Sequence, residues 1–186
     1  LFVANGHIYP QVDRFDLGTR YHQRNQLFEN LGAGPFREIT AGAGAGLAQP
    51  RSNRGASVGD YDNDGDLDIL VGVMDDRPLL LRNDDGQRGR WLGVSLIGTK
   101  SNRDAVGALV TLVSDGQRQV RLRSSTGSFL SSHDPRLHFG LGAATNVDQL
   151  EVRWPSGATE KFERLPTNRL ITIEEGTGRF KSAALR

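Results

Sequence analysis

The feature that most restricts the fold is a short-range rhythm of apolar side chains. "LDILVGV" (67–73), "WLGVSLIG" (91–98), "GALVTLVS" (107–114), "RQVRLRS" (118–124), "RLHFGLG" (136–142), "DQLEVRW" (148–154) and "RLITIEE" (169–175) all alternate apolar positions or run briefly apolar. A strand sends successive side chains to opposite faces, whereas a helix buries residues three and four apart. Helical spacing is scarce here. Between the bursts lie "NDDGQRG", "SDGQ", "PSGA" and "LPTN", which are turn compositions. Short strands at this spacing predict an all-β chain built as a sandwich, barrel or propeller. Leu109, Thr111 and Val113 are expected to share one strand face, and Val120 and Leu122 another.

A weak internal repeat refines this. "LFVANG" (1–6) resembles "ILVGVM" (69–74), and "NQLFENLGAGPF" (25–36) resembles "PLLLRNDDGQRG" (78–89). The first copy carries the longer insertion "HIYPQVDRFDLGTRYHQR". Two units of strand, loop, strand and Asn/Gly turn predict blades of a repeat architecture. The stretch "AGAGAGLAQP" (41–50) reads as a flexible crossing between them.

Composition narrows the class. At 37% hydrophobic and 24% charged residues, the chain can form a core. Its apolar runs stay short of the roughly 18 to 20 residues of a membrane-spanning helix. With 0 cysteines, disulfides and thiolate metal sites are excluded. Charge is uneven: residues 1–86 hold 8 Lys and Arg against 13 Asp and Glu, whereas residues 87–186 hold 15 against 9. This asymmetry predicts two units, 1–86 and 87–186. The arginines of the second half are spread among strand-like segments, which reads as a solvated face, and nucleic-acid binding is not expected.

The densest chemistry is "DYDNDGDLD" at 60–68. Asp60, Asp62 and Asp64 fall at loop positions 1, 3 and 5, Gly65 at 6, Asp66 at 7 and Asp68 at 9. Carboxylates this close repel unless a cation joins them. Ca²⁺ takes six to eight oxygens in flexible geometry, and a glycine at position 6 permits the sharp bend around the ion. Position 7 offers its backbone carbonyl. Mg²⁺ fits less well because it demands a near-ideal octahedron, and Zn²⁺ would want His or Cys. The helix-loop-helix calcium motif closes with Glu at position 12, but Val71 stands there in an apolar run. The expectation is therefore a strand-loop-strand calcium site with Asp60, Asp62, Asp64, Asp66 and Asp68 as metal residues, Asp66 through its backbone.

At these residues the sequence resembles a known family. "GDYDNDGDLDILV" looks like the calcium loop of FG-GAP/VCBS repeats, the blades of integrin-α-type propellers. "SNRDAVGALVTL" (101–112), "RLHFGLG" (136–142) and "VDQLEVRWPSG" (147–157) resemble an ASPIC/UnbV domain. "LFVANGHIYPQVD" and "QRNQLFENLG" resemble the preceding blade of the same proteins. Together the match is to the cartilage-acidic-protein-like family of secreted proteins, which has many bacterial members. The resemblance implies partial propeller blades over 1–86 and a β-sandwich-like domain over 87–186. It further implies calcium-stabilised blades and an extracellular or cell-surface location reached by bacterial export. Enzymatic activity is not implied. With parts of about two blades and a ring needing four to eight, the chain cannot close a propeller alone.

Other side chains offer less convergent chemistry. Ser131, Ser132, His133 and Asp134 are neighbours in "SSHDPR", a turn composition, and neighbours along a chain point apart rather than converge. His7 and His22 decorate the insertion beside Tyr9 and Tyr21. His138 sits in a strand as a surface or core residue. "AGAGAG" lacks the Lys and Ser/Thr of a phosphate loop. Trp91 and Trp154 could stack on sugars, but core packing suits their strand positions better.

The function expected is a non-enzymatic calcium-binding module for adhesion, protein interaction or assembly. The alternative is a carbohydrate-recognition or accessory domain of a larger exported enzyme or complex, so the partner is a protein or a glycan. The chain begins without Met inside a strand-like run and shows no signal peptide, which reads as a cut or processed end. The exposed edge of that strand offers a route to a homo-oligomer or filament.

Overall fold

The computed structural model describes residues 1–32, 34–84 and 89–184. The chain is all-β. Its strands are β1 (Phe2–Val3), β2 (Gln26–Asn30), β3 (Phe36–Glu38), β4 (Asn53–Gly59), β5 (Asp68–Val73), β6 (Leu79–Leu81) and β7 (Arg90–Ile97). They continue with β8 (Leu109–Ser114), β9 (Gln117–Leu122), β10 (Leu137–Gly142), β11 (Asn146–Arg153), β12 (Thr159–Pro166), β13 (Arg169–Glu174) and β14 (Phe180–Ala183). No helix among the described residues is long and apolar enough to cross a membrane.

The chain forms two compact units. The first comprises Leu1–Ser57, Ile69–Arg82 and Ser128–Ser131, and the second Val58–Asp68, Asn83–Gly127 and Ser132–Arg186. The acidic loop thus packs with the second unit, although it lies within the first 86 residues of the chain.

In the first unit, β1–β2–β3 form one three-stranded sheet, and β4–β5–β6 form another. The weak repeat is visible as two equivalent antiparallel pairings: Phe2 opposite Leu27, and Leu70 opposite Leu80. "AGAGAGLAQP" is less extended than a flexible crossing would be. It holds two short 3₁₀ turns, Thr40–Gly42 and Ala45–Leu47, and the second buries Leu47. Small residues permit the tight turns, and one leucine anchors them.

In the second unit two four-stranded sheets, ordered β10–β7–β13–β14 and β12–β11–β8–β9, contribute to a common core. Leu92 and Val94 of β7, Phe139 of β10 and Ile171 and Ile173 of β13 come from one sheet. Val110 and Leu112 of β8, Val147, Leu150 and Val152 of β11 and Leu165 of β12 come from the other. This is the sandwich-like domain that the family resemblance implies. The buried face of β8 is Val110 and Leu112, so the Leu109–Thr111–Val113 face is the half-exposed one. Register places Leu122 opposite Leu109 and Val120 opposite Thr111, so those residues form one face rather than two. The β8–β9 hairpin turns at Asp115 and Gly116, whose φ angles of 47° and 70° match the two left-handed positions of a type I′ turn. Part of "NDDGQRG", residues 85–88, lies outside the described residues.

Candidate metal centre

The acidic loop leaves β4 and returns at the start of β5. Two left-handed residues bend it, Asn63 at φ 61° and Gly65 at φ 98°. Asn tolerates this region through its short polar side chain, and Gly has no Cβ to clash. The two ends of the loop are tied by their own carboxylates. Asp60 accepts the N–H of Asp64 on Oδ1 and that of Gly65 on Oδ2, each at 3.1 Å. Asp68 accepts the N–H of Tyr61 at 3.1 Å and of Asn83 at 2.8 Å.

Asp60, Asp62 and Asp68 converge, with one carboxylate oxygen of each within 4.8 Å of the others. Asp60 and Asp68 are buried, at 6% and 2% exposure. Asp64 and Asp66 are not part of that group. Asp64 Oδ1 accepts the N–H of Asp66 at 2.9 Å. Asp66, itself 6% exposed, has a buried Oδ2 that accepts no hydrogen bond among the described residues, and the same holds for Oδ1 of Asp62. A buried carboxylate oxygen without a donor is normally destabilising by about 1–3 kcal/mol or more.

The electrostatics show the same deficit. Burial pushes the Asp60 carboxyl above its ordinary value, against the Gly65 N–H and the Arg136 guanidinium, which pull it down. Burial also raises Asp66, and the carboxylates of Asp64 and Asp60 raise it further. The cluster is short of positive charge.

Three residues that the sequence did not single out for this site surround the loop. Arg136 donates from Nη2 to the Asp60 carbonyl at 2.6 Å and from Nη1 to Asn63 Oδ1 at 2.7 Å. His138 Nε2 lies 2.8 Å from the Gly65 carbonyl oxygen. The Trp91 indole lies directly against Gly65 and stacks on His138, with ring centroids 6.1 Å apart and 17° between planes. No local signal could have marked them, because each lies more than twenty residues from the loop it touches.

The remaining candidates are engaged separately. His133 Nδ1 accepts the Val58 N–H at 3.2 Å, Ser131 Oγ donates to the Ala56 carbonyl, and Ser132 Oγ donates to the Ser125 carbonyl. Asp134 forms a forked ion pair with Arg136. Trp154 is buried in the sandwich core, its Nε1 donating to Glu160 at 2.7 Å. His7 Nδ1 accepts the Tyr9 N–H. His22 lines a cleft of about 780 Å³ in the first unit with Arg20, Arg24, Asn25 and Glu38; no Trp, Tyr or Phe lines it.

Comparison with known proteins agrees with this architecture. The FG-GAP-like repeat family matches residues 14–71, and the ASPIC and UnbV family matches residues 98–180. The chain carries an FG-GAP-like repeat followed by an ASPIC and UnbV domain. Cartilage acidic protein 1 of Xenopus tropicalis is 32% identical over 153 residues, covering 80% of this chain and 22% of that protein. The Homo sapiens protein of the same name is 33% identical over 107 residues, covering 55% of this chain and 16% of that protein. The chain therefore spans 22% or less of the length of these curated relatives. Its acidic loop falls inside the FG-GAP match, and Arg136 and His138 fall inside the ASPIC/UnbV match.

Proposed function

We propose that the chain is a non-enzymatic, extracellular protein-interaction module whose FG-GAP loop holds one Ca²⁺. Asp60, Asp62, Asp64 and Asp68 would supply carboxylate oxygens, and Asp66 its backbone carbonyl. The observation that carries this reading is the convergence of the Asp60, Asp62 and Asp68 carboxylates, in which the buried Asp62 Oδ1 has no donor among the described residues. An all-oxygen donor set selects a hard cation. Two oxygens on opposite sides of an ion bound at about 2.4 Å stand about 4.8 Å apart, so the Asp60, Asp62 and Asp68 oxygens are within reach of one ion. The ion would neutralise a buried acidic cluster and pin the loop at the start of β5. Its role is structural, with adhesion or assembly carried by the surfaces it stabilises.

Calorimetry on the metal-stripped chain tests the reading. The expected result is a single Ca²⁺ site with much weaker Mg²⁺ binding. Absence of any calcium heat would overturn it.

A further inference from the structure

Resting on the calcium reading, the contacts around the loop point one step further. The residues that enclose it come from β7, from β10 and from Arg136, immediately before β10. None adds an oxygen to the acidic cluster; their hydrogen bonds and packing fall on the loop backbone, on Asn63 and on Gly65. Arg136 is itself fixed by its fork onto Asp134, with Nε and Nη2 at 2.8 and 2.6 Å from Oδ2. From that position one guanidinium holds both the carbonyl of Asp60, the first loop position, and the side chain of Asn63, the first left-handed residue. His138 holds the carbonyl of Gly65, the second left-handed residue. Trp91 covers that glycine and stacks on His138. Each bend of the loop therefore has its own support, and every support stands on a strand of the sandwich or next to one.

We propose that Arg136, His138 and Trp91 are positioning residues for the cation loop, so that the ASPIC/UnbV sandwich sets the loop's calcium affinity and calcium in turn stabilises the sandwich. A loop already held at both bends loses less conformational freedom when the ion binds. Coupling of this kind is reciprocal by thermodynamic necessity. The arrangement makes calcium a reporter on the C-terminal domain as well as on the blade that carries the acidic motif.

The test uses the full chain, with calcium followed by calorimetry and by tryptophan emission. Trp91 emission should change with the same midpoint as the calcium heat, and Trp91→Phe should abolish that change, since Trp154 is buried in the core. Arg136→Gln should weaken calcium binding by about tenfold. Arg136→Lys should recover part of the loss by keeping one donor to the loop, without the fork. Calcium heat with silent Trp91 emission, or with unaltered affinity in a folded Arg136→Gln, overturns the positioning role and leaves the calcium site standing. No calcium heat in the unaltered chain overturns both. The emission arm needs no change to Arg136, so it decides the matter even where Arg136→Gln fails to fold.

Discussion

The indole of Trp91 occupies the space in which a side chain on Gly65 would stand. Gly65 also has φ 98°, a conformation that side-chain-bearing residues rarely adopt. Two independent constraints therefore fall on one position, and they can be separated. Gly65→Ala should destabilise the chain by about 1–3 kcal/mol from backbone strain alone, with the steric clash added. Adding Trp91→Ala should relieve the clash but not the strain. Denaturant melts of the two single variants and the double variant should thus show a favourable coupling between the changes. Strict additivity would mean that the indole yields freely, and the close packing would then have no energetic weight.

Removing calcium should lower the melting temperature. An ion that binds only the folded loop stabilises it by mass action, and chelation takes that term away. Without the ion, the carboxylates of Asp60, Asp64, Asp66 and Asp68 repel one another. The loss should be larger at low ionic strength, where screening is weakest. Scanning calorimetry with and without chelator, at two salt concentrations, reads both effects. A melting temperature indifferent to chelator in metal-stripped buffer would leave the loop without a structural ion.

Asp64 separates a ligand from a loop brace. Its carboxylate accepts the Asp66 N–H, a bond that Asn can keep and Ala cannot. If Asp64 serves only that bond, Asp64→Asn should retain calcium affinity. As a charged ligand it should lose about tenfold or more on going to Asn, and further on going to Ala, because affinity follows the number of ligand charges. Calorimetric titration of both variants distinguishes the two roles.

What could be read beforehand follows from the range of the physics involved. The acidic loop was legible because its chemistry is local, with nine adjacent residues carrying the spacing, the bend and the charge. β8, β10 and β13 were legible because alternation is a property of a single strand. β12 was not, because its buried residues Phe162 and Leu165 are three apart. The structure accounts for this: Arg164 takes φ 52°, and on the partner strand the buried positions Val147 and Leu150 are likewise three apart. The two irregularities match across the ladder, where Val147 pairs with Leu165 and Leu150 with Phe162. β4 is polar and small-residue rich, so it showed no period at all. Arg136 and His138 were hidden for a different reason. They touch the loop across more than seventy residues of chain, and tertiary packing alone creates those contacts.

A buried carboxylate far from the loop along the chain is expected to govern stability at low pH. Glu175 follows β13 and is 3% exposed. Its Oε2 accepts the N–H groups of Thr99, Lys100 and Ser101 at 2.9, 2.8 and 2.7 Å. Its Oε1 accepts the hydroxyls of Ser101 at 2.9 Å and Ser156 at 2.5 Å. Burial alone would raise this acid. The N–H of Ser101, the hydroxyl of Ser156, the N–H of Thr99 and the hydroxyl of Ser101 outweigh it and bring the pKa from 4.5 to about 2. A folded-state value below the unfolded one means that the unfolded chain binds the proton more readily. The stabilising contribution is therefore complete above about pH 4.5 and fades as pH falls towards about 2. Glu175→Gln keeps the size but removes the charge, and it turns an amide donor towards groups that already donate. The variant should be clearly less stable than the parent at neutral pH, and the gap should close between pH 4.5 and 2. Comparing the two chains at each pH cancels the titration of the acidic loop, which both share. Urea melts across this range check it, and a gap constant with pH would show that Glu175 acts by packing rather than by charge.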